Sequence, residues 1–497
     1  MKQILLVQAC SKHGLQRALW FLRLKSPQVD IHVLADPVEI ASRAGAGIPD
    51  LVAVAVDESG GDYLNAQLLC LRLHGRRKAI CLADEGAKLL PLSWWKVLKT
   101  ILRRSTLLAG RLYRQAIRSM RRLGVNQTES LILRHITFPA RSEKNRPRIL
   151  LVTEGAGASQ RYRCEHKAEQ LRLLGWPHRM RRAHCYQGSL TLLLKDAAWA
   201  DAVILHRVSP TGQVGLLLDQ FERSRRPTIF DIDDWIFDPK AMDWIAWKNP
   251  ESLEQLILAY ARLLDRCSHA IGATAPLVAR LKAKGKPAFL LANNVSLEWL
   301  DLSEKAVQFR RPHDGMLLGY SSGTPTHDQD FSQIVPALLH VMQAAPQVRL
   351  RIVGPLSLPK ELAPFQDRIE RIDLVPWRKL PYILSDLDVN LAPLEIGNPF
   401  AESKSELKYL EASPLAIPTI ASPTPAFCAA ITHGYNGLLA NGPEEWIDAL
   451  SACIASSEER QLLGEQACRH VQEEYHPKAA AKRLATLLEK ILSGGDE

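Results

Sequence analysis

The chain has 497 residues, 46% hydrophobic and 23% charged, the balance of a globular protein with room for about three domains. Its longest apolar runs, such as 149–152 and 202–205, are strand-sized, which argues against a bilayer-spanning helix. Nine cysteines scattered from Cys10 to Cys468, without a C-x-x-C pair, argue against a disulfide framework or structural zinc and for a reducing cytosol; the net charge of +10 is concentrated in one place.

Residues 1–90 alternate short apolar strands (4–7, 31–34, 51–56 and 79–82) with helix-like stretches, the pattern of a small Rossmann-like α/β region. The apolar run at 4–7 is too short for a secretory signal and reads as a first strand. Residues 91–125 form a basic amphipathic helical segment. No acidic residue occurs from Lys88 to Arg122, and Lys96, Lys99, Arg103, Arg104, Arg111, Arg114, Arg118, Arg121 and Arg122 recur mostly at steps of three and four. Leu98, Ile101, Leu102, Leu108, Leu112, Ala116, Ile117 and Met120 make an apolar stripe behind Trp94 and Trp95. From Trp94 to Arg122 the chain is therefore expected to meet an anionic membrane surface. An ordinary packed helix with a solvated cationic face is the competing reading, and nucleic acid fits less well because few aromatics are interleaved.

A linker is expected over 126–147, with the polar run 141–148 as the domain boundary. A second βα series over 148–309 begins with the strand at 149–153, and a third over 310–497 begins at Met316. Two such doubly wound domains would turn their strand C-termini toward one cleft, where ligands bind in sheets of this kind.

Each domain offers candidate groups at those strand ends. Gly155-Ala-Gly-Ala-Ser follows a strand and precedes a helix, so its backbone N–H groups can face an anion with Arg161 and Arg163 alongside; a plain tight turn is the alternative. The loop 319–328 holds the same place in the third series. Asp231, Asp233, Asp234 and Trp235 end a strand, where carboxylates can hold a metal, cap a helix or, with an indole, bind a polyhydroxylated sugar.

In the block 398–421, Pro399 and the polar run 402–405 are expected to open a helix that Pro414 and Pro418 close. Lys404, Lys408 and Glu411 would then share one face, with Lys404 in the first turn beside a phosphate and Glu411 two turns on, accepting from a ribose diol. A solvated helix carrying a Lys408–Glu411 ion pair is the other reading. A G-x-S-x-G elbow and a G-x-x-x-x-G-K-[ST] loop are both missing, which argues against a serine hydrolase and a P-loop nucleoside triphosphatase.

Taken in order, Gly-Ala-Ser-Gln-Arg-Tyr-Arg (157–163), Phe-Asp-Ile-Asp-Asp (230–234), Ala-Asn-Asn-Val (292–295), Leu-Gly-Tyr-Ser-Ser-Gly-Thr (318–324), the strand at 388–393, the block 398–421 and His433-Gly-Tyr-Asn-Gly-Leu-Leu resemble a GT-B glycosyltransferase. The likeness is to the retaining group 1, or family 4, type and covers roughly residues 148–492. It implies an α/β fold of two Rossmann-like domains facing a cleft, an acceptor domain at 148–309 and a nucleotide-sugar donor domain at 310–497.

By that resemblance Glu411 takes the role of the second glutamate on the ribose. Asp233 stands where many relatives carry a histidine near the transferred sugar. The first glutamate would fall on Ser403, beside Glu402, and the basic residue usual after the 319–324 loop is missing, so Lys404 supplies the phosphate charge. The expected catalytic residues are Asp233, Asp234 and Glu402. The expected donor-binding residues are Gly157, Arg161, Gly319, Ser322, Gly323, Thr324, Ser403, Lys404 and Glu411. No metal and no cofactor is expected, the nucleotide diphosphate sugar being a substrate. The implied activity is sugar transfer to a lipid-linked or cell-surface glycan precursor, by a cytoplasmic enzyme held peripherally at the inner membrane face. A non-catalytic nucleotide-sugar binding or scaffold protein is the rival, and a nucleic-acid-directed transferase a third reading.

Overall fold

In the structure, a computed structural model, residues 3–9, 30–34, 51–56, 78–83 and 146–494 are described, except 156, 188, 246, 248, 325 and 326. The chain divides into two units, residues 1–136 and 137–497. In the first, β1 (Gln3–Ala9), β2 (Asp30–Leu34), β3 (Leu51–Val56) and β4 (Lys78–Ala83) form a parallel sheet in the order β2-β1-β3-β4. The basic segment 91–125 and nearly all of the linker lie outside the described residues.

The second unit holds two six-stranded parallel sheets. The first runs β10-β9-β8-β7-β5-β6, from β5 (Ile149–Thr153), β6 (His178–Arg182), β7 (Ala202–His206), β8 (Thr228–Ile232), β9 (His269–Gly272) and β10 (Ala288–Leu290). Strands β5, β7, β8 and β9 are buried along their whole length, as helices on both faces require, and this is why β5 and β7 read as nearly continuous apolar runs. The second sheet runs β13-β12-β11-β14-β15-β16, from β11 (Met316–Ser321), β12 (Val348–Val353), β13 (Ile369–Ile372), β14 (Val389–Ala392), β15 (Thr419–Ala421) and β16 (Leu438–Leu439). Strand order reverses between β5 and β7 in the first sheet and between β11 and β14 in the second. In sheets of this kind ligands bind at the carboxyl ends beside such a reversal.

Five helices position the site. Ala158–Gln160, a π-helical turn over Arg161–Glu165 and His166–Leu173 follow one another as a single rod, α1. The others are α2 (Ala275–Ala283), α3 (Leu297–Gln308), α4 (Leu407–Ala412) and α5 (Pro477–Leu492). No described helix is long and apolar enough to cross a membrane.

The division expected between 309 and 310 is displaced at both ends. Helix α3, begun by the Ser296 hydroxyl accepting from the Trp299 N–H (3.0 Å), buries Trp299 and Ala306 in the second domain with Leu384, Tyr409 and Leu410. Helix α5 returns to the first domain and buries Leu484, Leu488 and Ile491 among Ile149, Leu151 and Leu171. Full burial of each such side chain is worth about 1.5–3 kcal/mol, so the last helix ties the chain's end to the first sheet.

Candidate active site

The block 398–421 differs most from its expected form. Ala401–Ser403 is a single 3₁₀ turn, Lys404 is extended (φ −70°, ψ 152°), and α4 does not begin until Leu407. Lys404 thus precedes the helix instead of occupying its first turn, and a six-residue helix has little dipole to offer a phosphate. Lys404 Nζ donates to Asp330 Oδ2 (2.7 Å), and His327 Nδ1 lies 2.9 Å from the same oxygen. Asp330 Oδ1 accepts from the backbone N–H of Glu395 (3.2 Å). Burial alone pushes the Asp330 carboxyl up, but His327 and Lys404 pull it down to about 2.

Lys408, the second residue of α4, points under the same loop. Its Nζ donates to the Ser321 carbonyl (2.8 Å) and stands 4.9 Å from the centre of the Tyr320 ring, while burial lowers the ammonium to about 8. It does not act as one half of a solvated surface pair. Lys404, Lys408 and His327 therefore converge at the carboxyl end of β11, at the second sheet's reversal point. The adjoining turn is held by Ser322, whose hydroxyl donates to Thr324 O (2.7 Å) and accepts from its N–H (3.4 Å). A side chain at Gly323 would meet open space.

Glu411 faces the other domain. Tyr162 donates its hydroxyl to Glu411 Oε1 (2.6 Å) and Arg161 Nη2 donates to the same oxygen (3.2 Å). The Arg161 guanidinium lies against the rings of Tyr162 (4.5 Å), Trp377 (4.6 Å) and Trp299 (5.5 Å). Arg161 and Tyr162 both lie at the start of the π-helical turn and donate to the same Glu411 oxygen.

Two expected donor contacts are structural instead. A Cβ on Gly319 would fall 2.1 Å from Leu387 Cδ1, so this glycine makes room for the Leu387 side chain from the loop before β14. Ser403 is fully buried, its hydroxyl donating to Pro399 O (2.7 Å) and its carbonyl accepting from Thr274 Oγ1 (2.9 Å) at the head of α2. It joins the domains, as does Asn293 Nδ2 donating to Ser405 Oγ (2.9 Å). Gly157, at φ 83°, supplies the left-handed turn that starts α1, and it is exposed.

The carboxylates expected to be catalytic are already engaged. Arg207, itself at φ 49° after β7, donates from Nε (3.1 Å) and Nη2 (2.7 Å) to Asp233 Oδ1, and from Nη2 to Asp234 Oδ2. Burial raises Asp233, but Arg207 brings it down to about 2. Asp231 is sealed in the interior, doubly bonded to Arg163 (2.9 Å each) and paired with Lys167 Nζ (2.8 Å), which hold it well below the usual carboxylate range against its burial. Arg163 is thereby withdrawn from any anion at the 155–159 loop. Glu402 Oε1 accepts from Gly397 N–H (2.9 Å) and shapes its own loop. Among the described residues, no three of His, Cys, Asp or Glu gather as a metal-ligating group.

Four groups that sequence reading missed complete the cleft: Tyr162, Arg207, the His327–Asp330 pair and Ser159 with His206. Only His327–Asp330 had a local signal, its i, i+3 spacing just after the glycine loop. The others pair across 26 to 249 positions of chain.

Residues 321–456 match the family described as "Glycosyl transferases group 1". HepE from Anabaena, solved with UDP and glucose, superposes with a TM-score of 0.50 at 13% identity, covering 69% of this chain and 99% of that one. Sucrose-phosphate synthase from Thermosynechococcus elongatus superposes with a TM-score of 0.50 at 15% identity, over 70% of this chain and 100% of that one. No curated protein sequence matches. The chain has the two-domain GT-B fold, and its group 1 glycosyltransferase match lies in the second domain.

Proposed function

We propose that the enzyme moves a glycosyl group from a nucleotide diphosphate sugar to a lipid-linked or cell-surface glycan precursor. The observation that carries this reading is the convergence of Lys404, Lys408 and His327 at the reversal point of the second sheet, inside the matched segment. The leaving diphosphate concentrates negative charge as the glycosidic bond breaks, and preplaced cations in a partly desolvated site stabilise that charge without reorganising. Ser322, Gly323 and Thr324 give the phosphates an open backbone turn. Glu411 takes the ribose, and the first domain takes the acceptor. HepE, solved in complex with UDP-glucose, offers the precedent for the donor class on this fold.

In this reading the two lysines meet the diphosphate charge without a metal, and His327, whose basicity burial lowers, offers a hydrogen bond beside them. The basic stretch from Trp94 to Arg122, outside the described residues, holds the enzyme at the inner face of a membrane, where a lipid-linked acceptor is presented. Transfer retains the anomeric configuration, as in the family type the sequence resembles. A thermal-shift screen against UDP-, GDP-, ADP- and dTDP-sugars tests the donor class, since a ligand that binds only the folded state raises its unfolding temperature. A clear shift with one nucleotide and not with its free sugar is expected, and no shift with any of them would refute the reading.

A further inference from the structure

From Gln170 to Lys195 the chain carries no acidic residue, whereas Arg172, Arg179, Arg181, Arg182 and Lys195 are all cations. The fold gathers them at one edge of the first domain, because β6 (His178–Arg182) is the last strand of its sheet. Side chains alternate between the faces of a strand. Arg179 and Arg181 turn to the face of the helix Leu190–Trp199, where each donates to the buried Asp196 (2.8 Å). His178, Met180 and Arg182 therefore turn to the other face, that of α1, whose last turn carries Arg172 and Leu173.

Most of this charge is unanswered. Asp196 alone serves both Arg179 and Arg181. Arg172, Arg182 and Lys195 are exposed, and among the described residues none of the three side chains is hydrogen-bonded or within salt-bridge distance of a carboxylate. Beside them Leu173 and Met180 are 40% and 38% exposed. Charges on an edge strand keep it from pairing with another edge, which accounts for a few of them. That need does not call for one sign throughout, and exposed apolar side chains invite the pairing that charges prevent. Nucleic acid is a poorer match, since its sites offer rings free to stack, and the half-exposed Trp199 already lies under the Arg179 guanidinium (4.1 Å).

We propose that this edge of the first domain docks on the surface of an anionic phospholipid bilayer. Arg172, Arg182 and Lys195 meet the lipid phosphates, and Leu173 and Met180 enter between the headgroups. Arg182 lies in register with Thr153 at the carboxyl end of β5, where the strand order reverses. The docked edge thus sets the ligand-binding end of the first sheet beside the lipid. The inference deepens the lipid-linked acceptor reading and rests on it for its purpose, but its residues are separate from the 94–122 segment. Where that segment also binds, the two contacts act as one bivalent attachment, and loss of either releases the chain at a fixed lipid concentration.

The test is sedimentation of the full chain with vesicles of phosphatidylglycerol and phosphatidylcholine at low salt. Pure phosphatidylcholine vesicles are the reference, and thermal unfolding checks that each variant is folded. The triple variant Arg172→Gln, Arg182→Gln, Lys195→Gln is expected to unfold at the wild-type temperature and to bind anionic vesicles about 100-fold more weakly. Met180→Ser alone should weaken binding about fivefold. Removing three exposed cations of the second domain, by Arg349→Gln, Lys360→Gln and Lys379→Gln, should leave binding at the wild-type level. Undiminished binding by the first triple variant, or an equal loss in the second, overturns the docking edge while leaving attachment through 94–122 standing. Wild-type protein that ignores the anionic vesicles, or binds pure phosphatidylcholine as well, overturns the edge and the anionic-membrane reading together.

Discussion

Replacing Tyr162 by phenylalanine removes one hydroxyl and leaves the ring, so it isolates the contact that occupies Glu411. That hydroxyl donates to Glu411 Oε1 over 2.6 Å, in a pocket where the Glu411 side chain is only 14% exposed. A hydrogen bond to a charged group is worth about 1.5–3 kcal/mol. If Glu411 takes the ribose, a nucleotide must first displace this hydroxyl, and the phenylalanine variant is spared that cost. At 1.4 kcal/mol per factor of ten, affinity for a matching nucleoside diphosphate should rise roughly 10- to 100-fold. The nucleoside alone should gain by the same factor, because the contact concerns the sugar and not the phosphate. Calorimetric titration of wild type and variant with UDP and uridine measures both. Unchanged or weakened binding of both ligands would refute the competition and remove Glu411 from the ribose.

Other residues give sharper tests of stability and location. Glu406, 3% exposed just before α4, has its carboxyl raised by burial from 4.5 to about 7. The protonated form is the one the fold favours, so its contribution is complete below pH 4.5 and is lost as pH rises through 7. Glu406→Gln should therefore stabilise the protein by about 3 kcal/mol at pH 8 and hardly at pH 4, and equal effects at both would contradict this. Asp231→Asn leaves Arg163 and Lys167 buried without their counter-charge and should cost about 3–5 kcal/mol in urea unfolding; a cost under about 1 kcal/mol would show that the cluster reorganises. Reversing Arg111, Arg114 and Arg118 to glutamate should abolish sedimentation with anionic vesicles, since each cation is worth about 1 kcal/mol near such a surface, and wild-type protein that ignores these vesicles at low salt would refute the membrane assignment.

Much of the fold could be read from the residues. The runs at 149–152 and 202–205 are apolar at every position because both faces of their strands are covered, and this marks a parallel sheet directly. Apolar periodicity shows that a helix face is buried but not against what, so it could not reveal that Trp299 belongs to the second core or that Leu484 and Leu488 return to the first. The site was less legible. Helical spacing placed Lys404, Lys408 and Glu411 on one face, but an extended residue at 404 breaks that rod. The clustered aspartates suggested free carboxylates because nothing local announces Arg207, 26 residues away, or the burial that drives Arg163 and Lys167 onto Asp231. Pairing over such distances is decided by strand order, which a linear pattern does not contain.

The central claim is that the second domain grips a diphosphate with Lys404 and its neighbours. It is tested most directly by calorimetry of wild type and Lys404→Ala with UDP, GDP and ADP against the corresponding nucleosides. One diphosphate should bind the wild type well above its nucleoside, and Lys404→Ala should weaken that diphosphate about tenfold or more while leaving the nucleoside unchanged. Equal losses for diphosphate and nucleoside, or a wild type that does not distinguish them, would contradict the claim.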